Sequence, residues 1–157
     1  ALREQTDLTV YLQGEETLAQ LIQRFREERD SCLVGTMSLW QGVDVAGEAC
    51  RLVVIDKIPF PRPDDPVSRA RSMDVERRGG NGFVSVSLTH AALMMAQGVG
   101  RLLRSTDDRG VVAILDPRVV TKRYGSFIMR SLPAMWPTTD PQVVRGALRR
   151  LAKVSDQ

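Results

Sequence analysis

Cysteine, histidine and lysine are scarce in this 157-residue chain, and each shortage removes a class of chemistry. Two cysteines, Cys32 and Cys50, cannot build a disulfide framework, a four-cysteine zinc site or an iron–sulfur centre, and are expected to be small buried thiols in a reducing cytoplasm. The single histidine, His90, excludes most His-rich metal centres; with no cysteine or carboxylate cluster around it, it is assigned no catalytic role. Lysine occurs only at Lys57, Lys122 and Lys153, so arginine supplies nearly all the positive charge. Base composition of the genome and a need for planar forks on phosphate both account for that bias. No apolar run approaches the ~20 residues needed to span a bilayer, and Ala1-Leu2-Arg3-Glu4 lacks a signal-peptide hydrophobic stretch. The phosphate loop G-x-x-x-x-G-K-[ST] does not occur, so the chain cannot hold β- and γ-phosphates in the usual cradle. What remains, with 43% apolar and 26% charged residues, is one soluble α/β domain with an ordinary core and no membrane segment.

Apolar strand-like runs alternate with helical patterns, the signature of parallel strands joined by helices. Leu8 to Leu12 reads as a strand ended by Gly14, and Glu15 to Arg29 as a helix with Leu18, Leu21, Ile22 and Phe25 at helical spacing. Ser31 to Thr36, Arg51 to Asp56 and Gly110 to Leu115 read as three further strands. A Pro-rich loop from Pro59 to Pro66 precedes a charged helix from about Val67 to Arg78. Gly79-Gly80-Asn81-Gly82 breaks the chain before a long helix ending near Arg104, and helices from about Val119 to Leu132 and Gln142 to Val154 complete the pattern. Four strands are few for a doubly wound sheet, and the lack of an initiator Met points to a chain that begins after the true start of its domain.

The helix from Leu88 to Arg104 carries the most information. At 100° per residue, Leu88, Ala91, Ala92, Met95, Val99, Leu102 and Leu103 fall within an arc of about 120°, a core face. Gln97, Arg101 and Arg104 fall within about 60° of one another on the opposite side. Gly98 and Gly100 interrupt this helix at roughly 1 kcal/mol each relative to Ala, and glycine there would let a ligand approach the backbone. Two co-facial guanidiniums suit a phosphate gaining charge in a transition state; they equally suit a solvated face. Two strands end in aspartate, Asp56 and Asp116, and with no phosphate loop in the chain they read as strand-end caps or ion-pair partners rather than magnesium ligands.

Gln97-Gly98-Val99-Gly100-Arg101-Leu102-Leu103-Arg104 resembles motif VI of superfamily 2 helicases, Q-x-x-G-R-x-x-R. Gly35-Thr36-Met37-Ser38-Leu39-Trp40-Gln41-Gly42-Val43-Asp44-Val45-Ala46-Gly47 resembles motif V of the bacterial DinG-type helicases and their XPD relatives, with Gln41 where that family usually carries Glu. Ile58 to Pro66, Asp116-Pro117-Arg118 and Lys122-Arg123-Tyr124-Gly125 are similar to the same branch, and their order is far more specific than any one of them. The resemblance implies an α/β, RecA-like second motor lobe spanning residues 1–157, a parallel sheet flanked by helices and truncated at its first strand, from a DinG-type, ATP-dependent, 5′-to-3′ DNA helicase of DNA repair or replication-related unwinding.

By the same resemblance, Arg101 and Arg104 act as arginine fingers on ATP bound to the N-terminal lobe, Gln97 reports its γ-phosphate, and Gly42, Asp44 and Gly100 lie beside the nucleotide. Thr36 and Ser38 grip a phosphate of single-stranded DNA; from the residues alone, Ser38 is equally an N-cap. The phosphate loop, the Mg2+ carboxylate and usually an iron–sulfur domain belong to the other lobe, with no cluster in this chain. Trp40 reads as a core residue before a base-stacking one, and Arg145, Arg149, Arg150 and Lys153 as a solvated helix face before a phosphate stripe. The competing reading is a non-enzymatic α/β module that binds DNA or protein. The two separate on the need for a second lobe: the chain alone, incubated with ATP and Mg2+, should release phosphate no faster than buffer, and clear turnover would contradict a divided nucleotide site.

Overall fold

The computed structural model describes residues 2–39, 50–100 and 109–154, with side chains described as far as residue 152. They form two compact units, the first built from residues 2–39, 50–52, 109–111 and 141–154 and the second from residues 53–100 and 112–140.

In the first unit, a short helix α1 (Leu2–Gln5) leads into β1 (Thr9–Leu12), α2 (Leu18–Glu27) and β2 (Ser31–Val34). β1 and β2 pair in parallel with Thr9 opposite Ser31 and Leu12 opposite Val34, so α2 is the crossover between them. Helix α2 starts later than Glu15 because Thr17 and Gln20 form a reciprocal capping box: the Thr17 side chain accepts from the Gln20 N–H, and the Gln20 side chain accepts from the Thr17 N–H. The helix stops at Glu28, which turns extended and places its carboxylate where the hydroxyls of Thr9 and Tyr11 donate to it. Those bonds hold the Glu28 carboxyl below its ordinary pKa. Leu21, Ile22 and Tyr11 are buried here, and the Arg24 guanidinium lies 5.2 Å from the Tyr11 ring centroid.

The second unit begins at β3 (Leu52–Ile55), followed by α3 (Pro66–Arg77), a π-helical stretch Phe83–Leu88, and α4 (Thr89–Gly100). After β4 (Val111–Ile114) come α5 (Arg118–Thr121) and α6 (Gly125–Ser131); α7 (Pro141–Val154) returns to the first unit. Val111 N–H donates to Arg51 O and Leu115 N–H to Ile55 O, both at 2.9 Å. The partners advance together along both strands, so β3 and β4 are also parallel. All four expected strands form and the α/β class holds; among the described residues they lie in two parallel pairs rather than one continuous sheet.

Helix α3 is punctuated as its sequence dictates. Asp65 caps it by accepting the Ser68 N–H at 2.7 Å, Pro66 occupies the first turn, and Gly79 follows the end at φ +82°. The single helix expected over 119–132 is instead two, α5 and α6. The reason is a close crossing: a Cβ on Gly125 would sit 1.9 Å from the Val119 carbonyl oxygen, so only glycine lets the two short helices pack. The stretch Phe83–Gly100 is long and apolar enough to cross a membrane by length and composition. Leu88, Ala91, Ala92, Met95 and Val99 are buried in the second unit, as is Ile128 of α6. Cys32 and Cys50 are half-buried rather than buried, and partial desolvation raises both thiol pKa values.

Met95 is fully buried, so Met95→Ala is expected to destabilise the chain by about 2–5 kcal/mol. Gly125→Ala should cost about 1–3 kcal/mol through overpacking; urea titrations of both variants check these values.

Candidate functional site

The core face expected for the motif VI helix is observed along its described length. Leu88, Ala91, Ala92, Met95 and Val99 are each no more than 3% exposed, and Met94 at 8% joins them. Gln97 is exposed on the other side. The two glycines differ. Gly98 is buried with the core residues, whereas a Cβ on half-buried Gly100 would meet nothing within 4 Å among the described residues. Arg101, Arg104, Leu102 and Leu103 lie outside the described residues, as do Trp40, Gln41, Gly42 and Asp44 of motif V.

The start of motif V is described, and it leaves β2 as a hydroxyl-lined loop. Thr36 and Ser38 are exposed, and their oxygens stand 3.0 Å apart. The loop turns because Leu39 N–H donates to Thr36 O at 3.0 Å while the Leu39 side chain is buried. A third residue holds both hydroxyls: Gln13, from the end of β1, accepts the Thr36 N–H at 2.8 Å and donates to Ser38 Oγ at 2.6 Å. Sequence reasoning missed Gln13. Its one signal is position: it stands between a strand and Gly14, whose φ of +103° makes the turn.

A comparable polar tie stands at the ends of β3 and β4. Asp116 is buried, and its carboxylate accepts the Ile58 N–H at 2.9 Å, the Arg118 N–H at 3.0 Å and three guanidinium bonds from Arg118 Nε and Nη2, the shortest at 2.6 Å. The Arg118 guanidinium, then the two backbone donors, hold this carboxyl far below the usual carboxylate range. Asp116 is thus an ion-pair and strand-end residue, while Asp56 is exposed. Arg118 also lies 5.3 Å from the Phe60 ring centroid, and Phe60, Phe83 and Tyr124 form a three-ring cluster with centroids 5.5–5.7 Å apart. The Pro-rich loop is therefore pinned through Ile58 and Phe60 to the turn after β4.

His90 is exposed, and among the described residues no group of three or more His, Cys, Asp or Glu side chains is placed to hold a metal ion. Arg145, Arg149 and Arg150 are exposed on α7; the Lys153 side chain lies outside the described ones.

Residues 1–135 match the family model described as the helicase C-terminal domain. The chain is 54% identical over 153 residues to an ATP-dependent helicase DinG of Mycobacterium tuberculosis, covering 98% of this chain and 23% of that protein. It is 47% identical over 145 residues to the ATP-dependent DNA helicase YoaA of Escherichia coli, covering 92% and 22%. A protein of Bacillus subtilis named 3′-5′ exonuclease DinG is 40% identical over 114 residues, covering 73% and 12%. The chain thus spans less than a quarter of the length of each of these curated relatives.

Because Asp116 has a depressed pKa in the folded state, its stabilisation is fully present above its unfolded pKa of about 3.8 and is lost as pH falls toward the folded value. Asp116→Asn should lower stability at pH 7 by about 1.5–3 kcal/mol, the scale of hydrogen bonds to a charged group. The deficit should shrink below about pH 4, where the unfolded wild-type chain takes up a proton at Asp116 that the folded state still refuses; thermal melts at pH 7 and pH 3 read both.

Proposed function

The chain belongs to the helicase C-terminal domain family, and from that premise we propose that it is the second, RecA-like motor lobe of an ATP-dependent DNA helicase. Its task is to complete an ATP site held mainly by an N-terminal lobe and to grip single-stranded DNA, with 5′-to-3′ polarity, in DNA repair or replication-related unwinding in the cytoplasm.

The observation that carries this reading is the order of motifs V and VI combined with the seating of α4. One face of that helix is buried and Gln97 stands exposed on the other, with Arg101 and Arg104 four and seven residues further along the sequence. The absence of G-x-x-x-x-G-K-[ST] fits a lobe that contributes to a triphosphate pocket without containing its cradle. ATP and Mg2+ are held chiefly by the other lobe. This chain supplies the Arg101 and Arg104 guanidiniums to the γ-phosphate, Gln97 to its vicinity, and Gly42, Asp44 and Gly100 beside the nucleotide. Guanidinium forks aimed at developing charge lower the barrier to phosphoryl transfer. Once the γ-phosphate leaves, the same arginines lose their anion, and the attraction between the lobes falls, which couples hydrolysis to movement. The loop from Thr36 to Ser38 holds a DNA phosphate meanwhile, a contact that positions the strand without reading its sequence.

In the full-length protein, Arg101→Ala should reduce DNA-stimulated ATP hydrolysis by roughly 10³-fold or more while leaving DNA affinity nearly intact. Phosphate release and fluorescence anisotropy on single-stranded DNA measure the two separately. A loss of only a few-fold in turnover would reject the finger role and favour the non-enzymatic binding module.

A further inference from the structure

The parallel register of β1 and β2 brings Gln13 beside the loop that leaves β2. Its backbone N–H donates to Val34 O at 2.9 Å, extending the ladder one residue beyond the end of β1. From there the half-buried carboxamide reaches the two exposed hydroxyls. Oε1 accepts both the Thr36 backbone N–H at 2.8 Å and the Thr36 hydroxyl at 3.1 Å, while Nε2 donates to Ser38 Oγ at 2.6 Å.

The chemistry of the donors fixes which way round this amide sits. A backbone N–H can only donate, so the Gln13 atom facing it is the carbonyl oxygen, and the NH2 end necessarily faces Ser38. Ser38 Oγ is therefore an acceptor toward Gln13, and its own proton is left over. The Thr36 hydroxyl has the opposite polarity: it gives its proton to Oε1. With the two oxygens 3.0 Å apart, the Ser38 proton rests on Thr36 Oγ1 or turns outward to an anion, and either choice leaves every bond to Gln13 intact. Gly35 is what allows the carboxamide to lie this close. A Cβ there would stand 2.6 Å from Gln13 Oε1 and 2.2 Å from Leu39 Cδ1.

We infer that Gln13 is a positioning residue that divides the labour of the two hydroxyls: Thr36 is tied inward as a strut, and Ser38 is held as the outward donor to a phosphate oxygen of single-stranded DNA. The inference rests on the reading of this loop as a DNA contact. Its distinctive consequence concerns glutamate at position 13. Gln13→Glu keeps an acceptor for Thr36 but exchanges the NH2 donor for a second acceptor, so Ser38 must give its proton to position 13 and has none for phosphate.

The test uses the full-length protein and the concentration of single-stranded oligonucleotide that half-saturates ATP turnover. Ser38→Ala and Gln13→Glu should each raise that concentration roughly tenfold with the saturated rate little changed, while Thr36→Val stays within about threefold. The double variant Gln13→Glu/Ser38→Ala should be no more than about twofold worse than Ser38→Ala alone, because both changes remove the same proton. Additive losses would mean that the added charge at position 13 acts on its own, and would overturn the inference. Thr36→Val as damaging as Ser38→Ala would overturn it too, as would an unaffected Gln13→Glu beside a weakened Ser38→Ala; both leave the loop as a DNA contact. If none of the three single variants moves the oligonucleotide requirement, the DNA-contact reading falls together with the inference. Melting temperatures of all variants confirm that each is folded.

Discussion

Burial of one face of α4 is the constraint on which the second unit depends. Leu88, Met95 and Val99 are at most 2% exposed, and side chains of this size contribute about 1.5–3 kcal/mol each when removed from water. Ala91, Ala92 and Gly98 lie between them and keep that face low. A helix seated this way cannot rotate about its axis without exposing its core residues, so the opposite face is determined at no further expense. Gln97 stands outward for that reason. Gly98 is buried with that face, whereas at Gly100 the missing side chain leaves space at the backbone among the described residues.

The two units share a device at the carboxyl ends of their parallel strands. Gln13, just past β1, ties itself to the Thr36 N–H in the loop after β2; Asp116, just past β4, ties itself to the Ile58 N–H in the loop after β3. In each, one polar side chain satisfies a backbone donor on the neighbouring loop and so holds two strand exits together. Open α/β sheets place their ligand-binding crevices outside the carboxyl ends of strands, where loops need support that strand pairing no longer supplies. The chemistry differs with the setting. Asp116 is buried and ionised, and needs Arg118 to offset its desolvation; Gln13 is half-buried and neutral, and by donating to Ser38 Oγ leaves the Ser38 proton available.

Elements with a strong local signal were legible before any coordinates. All four apolar runs became strands, because a short run of Val, Ile and Leu between polar turns has few other ways to hide. Helix α3 follows its Asp-Pro start and glycine stop almost to the residue, since caps are local chemistry. The helix read over 119–132 breaks after Thr121: β-branched Val119, Val120 and Thr121 and then Gly125 weaken the helix, and the chain turns so that Gly125 passes against the Val119 carbonyl. The cysteines, expected in the core, are only half-buried: Cys32 lies on a four-residue strand of a two-stranded sheet that covers it incompletely, and Cys50 precedes β3 outside any strand.

Sequence by itself determined the α/β class, the buried stripe of α4, the roles open to Asp116, and the Gly-Thr-Met-Ser and Gln-Gly-Val-Gly-Arg motifs, all of which depend on spacing within a dozen residues or so. Only tertiary structure decided which side chain would steady the Thr36–Ser38 loop and which backbone group Asp116 would satisfy. Those partners lie 23 and 58 residues away in the chain. Strand register brings them together, and register is set by the summed burial of many residues rather than by any one residue's neighbours.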